Sequence, residues 1–448
     1  MNGDLIGQDA VFSRVSTDSR SVHPGELFVA LVGPNFDGHD FIEAAVRRGA
    51  VGVIASRSIH VEVPHIVVAD TLEALQRAGA AWRLQFQIPV VAVAGSNGKT
   101  TTKEMLAHLL AGRGPCHATR GTLNNHIGVP LTLLDLAAEH VSAVIEIGAN
   151  HPKEVEALTR LVSPTIGLVT NAGAEHLEGF GDLDGVARSE GELFEQLPSE
   201  AVAVINADDP YADLWTSMAG SRRVIRFGTS PDADVRLKHV EATADRAGQR
   251  FTCETPQGVL VAELRLLGLH NVLNALGAVG AALAAGATLA MIADGLSRMR
   301  PVRGRLDVKK ASCGALIIDD TYNANPSSFT AGLSVLTEQS GEPWLVLGEM
   351  AELGPTAADV HAAAGREARL AGVTRLFAVG APCRETVAAF GAGGEWFSDV
   401  PAMIERLLAV ARHDASILVK GSRVNRLERV VDALTVRLPD MPTSAAVS

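Results

Sequence analysis

Val90-Val91-Ala92-Val93-Ala94-Gly95-Ser96-Asn97-Gly98-Lys99-Thr100-Thr101-Thr102 decides the reading of this chain. An apolar run fits a buried strand, two glycines bracket a turn, and Met105, Leu106, Leu109 and Leu110 then recur on one helical face. Such glycines let backbone N–H groups close around an oxyanion at a helix N-terminus, and Lys99 adds a point charge. The construction predicts a polyphosphate ligand, with the Thr100 hydroxyl where a phosphate loop meets Mg²⁺. Gly95 and Gly98 enclose only Ser96 and Asn97, fewer residues than the usual phosphate loop holds. This shortened variant does not by itself name a reaction.

Working outward, strand-like runs at 143–147, 165–170 and 201–205 alternate with helical segments, which predicts a mostly parallel sheet covered on both faces. Residues 234–240, 249–254 and 259–266 partly alternate in polarity and read as an antiparallel extension of it. Together they form a central nucleotide-binding domain, 88–305. Before it, residues 1–87 hold short strand-like runs at 26–31 and 51–55 around a helical segment at 41–48, a small α/β domain. Pro301-Val302-Arg303-Gly304-Arg305 reads as a hinge, and 306–448 alternates strands at 315–318, 344–347, 376–379 and 417–419 with helices, a Rossmann-like third domain. The tail 438–448 reads as frayed. The fold class expected is α/β in three domains, in keeping with a length of 448 residues.

Formal charge is −12, from 39 Lys and Arg against 51 Asp and Glu, with no basic block. That argues against nucleic acid and against an anionic membrane surface as partners. The longest uncharged apolar run, 275–293, is dominated by Ala and Gly and reads as two buried helices broken near Gly286, not as a membrane span. Charged residues from Asp4 to Arg20 leave no apolar core for an export signal, so a cytoplasmic location is expected. Cys116, Cys253, Cys313 and Cys383 are dispersed, which reads as buried thiols with neither disulfide framework nor zinc site.

Several polar groups fall at strand ends, where open α/β sheets bind ligands. Glu146 closes one strand and suits Mg²⁺ beside the phosphates, although a lone strand-end glutamate is more often only solvated. His176, in Asn171-Ala172-Gly173-Ala174-Glu175-His176, follows another strand. Glu190 and Glu192 sit on a helix where they cannot point the same way, and spacing does not choose between them. Asn124 and Asn125 precede a hydrophobic helix as donors for a polar ligand or as caps. Asn271 and Asn274 share a helical face able to read a base edge, with helix capping by Asn271 an equal explanation. Asp320, Asn323 and Asn325 occupy a loop after a strand of the third domain, and Arg305 at the hinge is placed to reach a terminal phosphate on domain closure.

Taken together, these strings resemble the Mur ligase family of ATP-dependent amide-bond synthetases over nearly the whole chain. Gly95-Ser96-Asn97-Gly98-Lys99-Thr100-Thr101 is similar to the family's own shortened loop. The stretches 124–130, Gly148-Ala149-Asn150-His151, 320–326 and 347–354 are similar to its D-Ala-D-Ala-adding branch. The resemblance implies ATP and Mg²⁺ as cofactors, and UDP-N-acetylmuramoyl-tripeptide and D-Ala-D-Ala as substrates of a monomeric enzyme. It further implies that Lys99 and Arg305 hold phosphates and that Thr100, Glu146 and His176 serve Mg²⁺. Asn271 then reads adenine, Asp320 and Asn323 lie near the ribose, and the dipeptide meets the third domain. Ser19 and Arg20, with the Asp37 loop, hold the uridine nucleotide; Asn124, Asn125 and Asn325 touch substrate. One position departs from the pattern. Relatives carry a carbamylated lysine where this chain has Glu190, so Glu190 is expected to supply that negative charge itself, with a water bridging its shorter side chain. Another family ligase, such as a folylpolyglutamate type, or a nucleotide-binding relative without catalysis, are the alternative readings.

Overall fold

Val90–Ala94 is a fully buried strand flanked on both sides by parallel neighbours, Ser142–Glu146 and Ile166–Val169. The chain leaves it toward one edge, through Cys116–Ala118 and Ser142–Glu146, and then crosses to the other side for Ile166–Val169, Val202–Asn206 and Arg223–Gly228. Val90–Ala94 is therefore the topological switch point, and a crevice opens beyond its carboxyl end. The Lys99–Leu110 helix starts in that crevice, and Met105, Leu106, Leu109 and Leu110 are all wholly buried along its length.

The computed structural model describes residues 3–244 and 248–435, so the tail at 438–448 lies outside the described residues. Three main sheets follow one another along the chain. Five strands between residues 3 and 68 form the first, nine between 90 and 264 the second, and six between 307 and 420 the third. Val235–Ala242, Gln249–Thr255 and Gly258–Leu264 extend the second sheet as antiparallel strands, as their alternation predicts. The run 275–293 falls in two helices, Leu269–Ala284 and Leu289–Arg298, separated at Gly286, whose φ of +85° is a conformation glycine adopts without strain. Among the described residues no helix is long and apolar enough to cross a membrane.

Sequence reading errs locally in two places. The run 26–31 yields only the three-residue strand Leu27–Val29. Of the four cysteines expected to be buried, Cys253 and Cys383 are, Cys116 is partly so, and Cys313 is exposed. Cys313 sits in the tight connection between Asp307–Lys310 and Leu316–Asp320, where Ala311 and Ala315 pair and the intervening residues turn outward.

The first sheet is tied to the second through the Thr71–Arg83 helix. Its last residue, Arg83, is buried and donates to three carbonyl oxygens: Nε to Val162 (3.1 Å), Nη1 to Phe86 (2.8 Å) and Nη2 to Ser163 (3.0 Å). Ser163 has a φ of +41°, and the arginine caps the irregular end of the Glu154–Val162 helix. Arg83→Ala strands these carbonyls away from water, and a loss of about 3 kcal/mol is expected because unsatisfied buried groups cost about 1–3 kcal/mol each. The midpoint of urea unfolding checks it.

Candidate active site

Two glycine conformations build the loop. Gly95 has φ +117°, and a Cβ there would lie 2.2 Å from the Thr170 hydroxyl; Gly98 has φ +83° and caps the helix that begins at Lys99. Lys99 bends back over the turn. Its Nζ donates to the Gly95 carbonyl, to the Ser96 carbonyl at 3.3 Å and to Glu175 Oε1 at 3.3 Å. Burial lowers its pKa, but Glu175, Glu190 and Glu146 outweigh this and hold it above the usual lysine value, so Lys99 is a cation.

Glu146 stands at the end of its strand, almost wholly buried. Oε1 accepts from Thr100 Oγ1 at 3.3 Å and from Asn124 Nδ2 at 2.9 Å, while the buried Oε2 has no partner among the described residues. An orphaned carboxylate oxygen beside a phosphate-loop hydroxyl is a hard-oxygen seat for a divalent cation next to bound phosphate. That is the fit expected for Mg²⁺, although among the described residues no group of three or more His, Cys, Asp or Glu forms a cation site on its own.

Arg305 arrives from the segment that joins the Leu289–Arg298 helix to the Asp307–Lys310 strand. Its guanidinium lies 4.0 Å from the centroid of the Tyr322 ring, Nη2 donates to Thr100 Oγ1 at 3.4 Å, and the buried Nε has no partner among the described residues. Thus an unpartnered acceptor and an unpartnered donor flank the same hydroxyl.

A cavity of about 860 Å³ surrounds these groups. Ser96, Asn97, Gly98, Lys99, Thr100, Thr101, Asn124, Asn125, Glu146, His176, Asn271, Arg305, Asp320, Asn323 and Asn325 all line it. Other expected residues lie elsewhere. Ser19, Arg20 and Asp37 are not in its wall: Arg20 pairs with Asp18, and Asp37 is held by His39 and Arg57. His176, at φ +49°, turns to Glu352 of the third domain. Asn271 is not the helix cap, a place taken by Gly268; its amide donates to the Leu267 carbonyl at 2.8 Å.

Glu190 also differs from expectation. Its carboxylate accepts from the Gly95 N–H at 2.6 Å and does not line the cavity, so it grips the loop's backbone instead of facing the open space. Glu192 faces away, accepting from the N–H groups of Lys153 and Glu156, as their helical spacing requires. Burial, opposed by Lys99 and the Gly95 N–H, pushes Glu190 up to about 7. The folded state therefore binds the extra proton between its ordinary 4.5 and about 7, and stability falls as pH rises through that window. Glu190→Gln removes the slope. Its melting temperature relative to wild type is expected to climb between about pH 5 and pH 8, by the equivalent of up to about 3 kcal/mol.

Further residues build the site: Lys420, in the string 419–423 that the sequence places at a ligand edge of the third domain, and His270 and Lys103, which sequence reading missed. Lys420 is buried, 2.5 Å from Asp320 Oδ2 and 3.0 Å from the Asn323 carbonyl, and so fixes the loop after its strand. His270 also lines the cavity, and burial pushes it down to about 4, leaving a neutral ring. Lys103, wholly buried one helical turn after Lys99, donates to the Thr119 carbonyl at 2.8 Å, and Thr119 Oγ1 in turn accepts from the Glu146 N–H. Its place after Lys99 was the available signal, but a lysine on a helix reads as solvated.

The second and third domains meet at the loop itself. Asn97 Nδ2 donates to Ser327 Oγ at 3.0 Å, and Asn325 Nδ2 donates to Asn97 Oδ1 at 2.9 Å. Asn325 also caps the Pro326–Thr337 helix.

Comparison with known proteins agrees with this architecture. Family profiles described as Mur ligase family, catalytic domain, Mur ligase middle domain, and Mur ligase, glutamate ligase domain match residues 11–112, 93–282 and 304–423. The UDP-N-acetylmuramoyl-tripeptide–D-alanyl-D-alanine ligase of Escherichia coli K12 is 43% identical over 437 residues, 97% of this chain and 96% of the relative. A crystal structure of MurF from Acinetobacter baumannii superposes with a TM-score of 0.88 at 36% identity, covering 94% of this chain and 93% of that one. MurF ligase from Thermotoga maritima in complex with ADP gives 0.84 at 27% identity, over 96% and 99%. With this identity spanning nearly its whole length, the chain belongs to the Mur ligase family.

Proposed function

We propose that this protein joins D-Ala-D-Ala to UDP-N-acetylmuramoyl-tripeptide, using ATP and releasing ADP and phosphate. The observation that carries the chemistry is the pair of unpartnered buried atoms, Glu146 Oε2 and Arg305 Nε, beside a phosphate loop whose lysine is a cation. The identity to D-alanyl-D-alanine ligases supports the choice of substrates.

The loop Gly95 to Thr101 cradles the polyphosphate, and Lys99 and Arg305 neutralise its charge. The tripeptide's terminal carboxylate attacks the γ-phosphorus and ADP departs, leaving an acyl phosphate. The amine of D-Ala-D-Ala then attacks the acyl carbon, the C–O bond to the phosphoryl group breaks, and phosphate leaves with the electron pair. Most of the catalysis is positioning and charge neutralisation. Mg²⁺ would be held by Thr100, Glu146 and His176, where it supplies Lewis-acid neutralisation of phosphate charge. Asn271 reads adenine, and Asp320 and Asn323 lie near the ribose. Asn124, Asn125 and Asn325 contact the peptide substrate. The segment 1–87 holds the uridine nucleotide through Ser19, Arg20 and the Asp37 loop, 88–305 binds ATP, and 306–448 receives the dipeptide.

Glu190 stands behind the loop in place of a carbamate, accepting from the Gly95 N–H and, in its ionised form, supplying the negative charge that acts on Lys99. Removing bicarbonate is therefore expected to leave turnover unchanged, and full activity in Glu190→Ala overturns this role. The reaction itself is tested by phosphate release with D-Ala-D-Ala against free glutamate and diaminopimelate. Release with the dipeptide alone is expected; preference for a free amino acid points to another ligase of the family, and no release with any acceptor points to a binding protein.

A further inference from the structure

The mechanism above leaves Glu175 without a role of its own. A second cavity, of about 200 Å³, lies between the loop at 174–176 and the third-domain loops at 322–325, 351–353 and 422–424. Glu175 is the carboxylate common to the walls of both cavities. The other acidic residue of the smaller one, Glu352, is engaged by His176. Glu175's side chain is only 10% exposed, and it forms an ion pair with Lys99 Nζ at 3.3 Å.

That partnership changes when phosphates occupy the loop. Lys99 is the cation the loop presents to them, and each interaction it makes with a phosphoryl oxygen weakens its hold on Glu175. A nearly buried carboxylate deprived of its cation demands another donor. The smaller cavity opens directly onto it, and the second substrate of the proposed reaction carries an ammonium group at one end. Its other end is a carboxylate, and the guanidinium of Arg423, on the same wall, mostly exposed and paired through Nη1 with Glu428 at 3.2 Å, has the matching charge and further N–H donors. The cavity is thus acidic where it meets the phosphate seat and basic toward solvent.

We infer that Glu175 seats the amine of D-Ala-D-Ala, accepting its N–H hydrogen bonds where the smaller cavity joins the phosphate seat. This rests on the reaction proposed above. The seated ammonium first gives a proton to solvent; the amine so formed makes the C–N bond to the tripeptide's acyl carbon with its lone pair, the C–O bond to the phosphoryl group breaks, and phosphate departs with the electron pair. The nitrogen's remaining surplus proton leaves to phosphate, and Glu175 is unchanged. It is a catalytic residue for the second half-reaction only.

Two assays on the full-length enzyme separate that role from support of Lys99. One varies D-Ala-D-Ala and measures amide product; the other omits the dipeptide and traps the acyl phosphate with excess hydroxylamine, which needs no seat. For Glu175→Gln, kcat/KM for the dipeptide is expected to fall about 10–100-fold, the range for losing a hydrogen bond to a charged group. Hydroxamate formation and the KM for ATP stay within about twofold of wild type. Glu175→Asp, which keeps the charge, recovers part of the dipeptide kcat/KM. Parallel loss of hydroxamate assigns Glu175 to the phosphate seat and overturns the inference, as does an unchanged dipeptide kcat/KM. A wild-type enzyme that forms hydroxamate yet joins no D-Ala-D-Ala overturns the substrate reading and this inference together.

Discussion

Replacing Lys99 with Met is expected to lower kcat for phosphate release by about 10³-fold, at the upper end of what removing one stabilising group from a transition-state site costs. The side chain is mostly buried, its cationic form is favoured by three carboxylates, and its Nζ is anchored to the backbone of the loop that it serves. Met fills much of the same volume, so lost charge rather than lost packing is what the assay reads. The effect falls on phosphoryl transfer, before any amine is used, and hydroxylamine trapping therefore drops as far as amide formation does. A variant that keeps trapping but loses amide formation contradicts the role given to Lys99. A melting curve close to wild type keeps a folding defect from being mistaken for this result.

The second large effect is at Glu146. Glu146→Gln preserves shape and still offers one oxygen to Thr100 and Asn124, but it removes the charge and the free oxygen at Oε2. A fall of about 10²–10³-fold in kcat is expected at low Mg²⁺, partly recovered as Mg²⁺ is raised, because a carboxylate ligand contributes most when the ion is scarce. Calorimetric titration of Mg²⁺ into the ADP-loaded enzyme gives an independent reading, with weaker binding in the variant. Equal Mg²⁺ affinity in the two proteins contradicts the assignment.

Much of this site was legible because strand, loop and helix are local. Val90 to Leu110 encodes its own conformation: an apolar run, two positive-φ glycines and a helical face that proves wholly buried. Glu146 and Asp320 were legible as strand ends, since the carboxyl edge of a parallel sheet is where ligands collect. Harder to read were contacts closed by tertiary packing. Glu190 grips the Gly95 N–H across 95 positions, and Asn97 meets Ser327 across 230. Lys103 and Arg83 look like solvated helix residues until the fold buries them against carbonyl oxygens. No periodicity marks such partners, because their burial depends on segments far away in the chain.

Closure onto the phosphate loop gives those distant contacts a common sense. Asn325 and Ser327 touch Asn97, Tyr322 stacks under Arg305, and Glu352 holds His176, so the third domain meets the loop through several polar contacts at once. One cavity is lined by residues from the second and third domains alike.

If the loop turns a γ-phosphate toward a peptide carboxylate, UDP-N-acetylmuramoyl-tripeptide labelled with ¹⁸O in its terminal carboxylate passes that label to phosphate. In a complete reaction with ATP and D-Ala-D-Ala, mass spectrometry is predicted to find one carboxylate ¹⁸O in each phosphate released. Phosphate without label, or label in AMP, contradicts it.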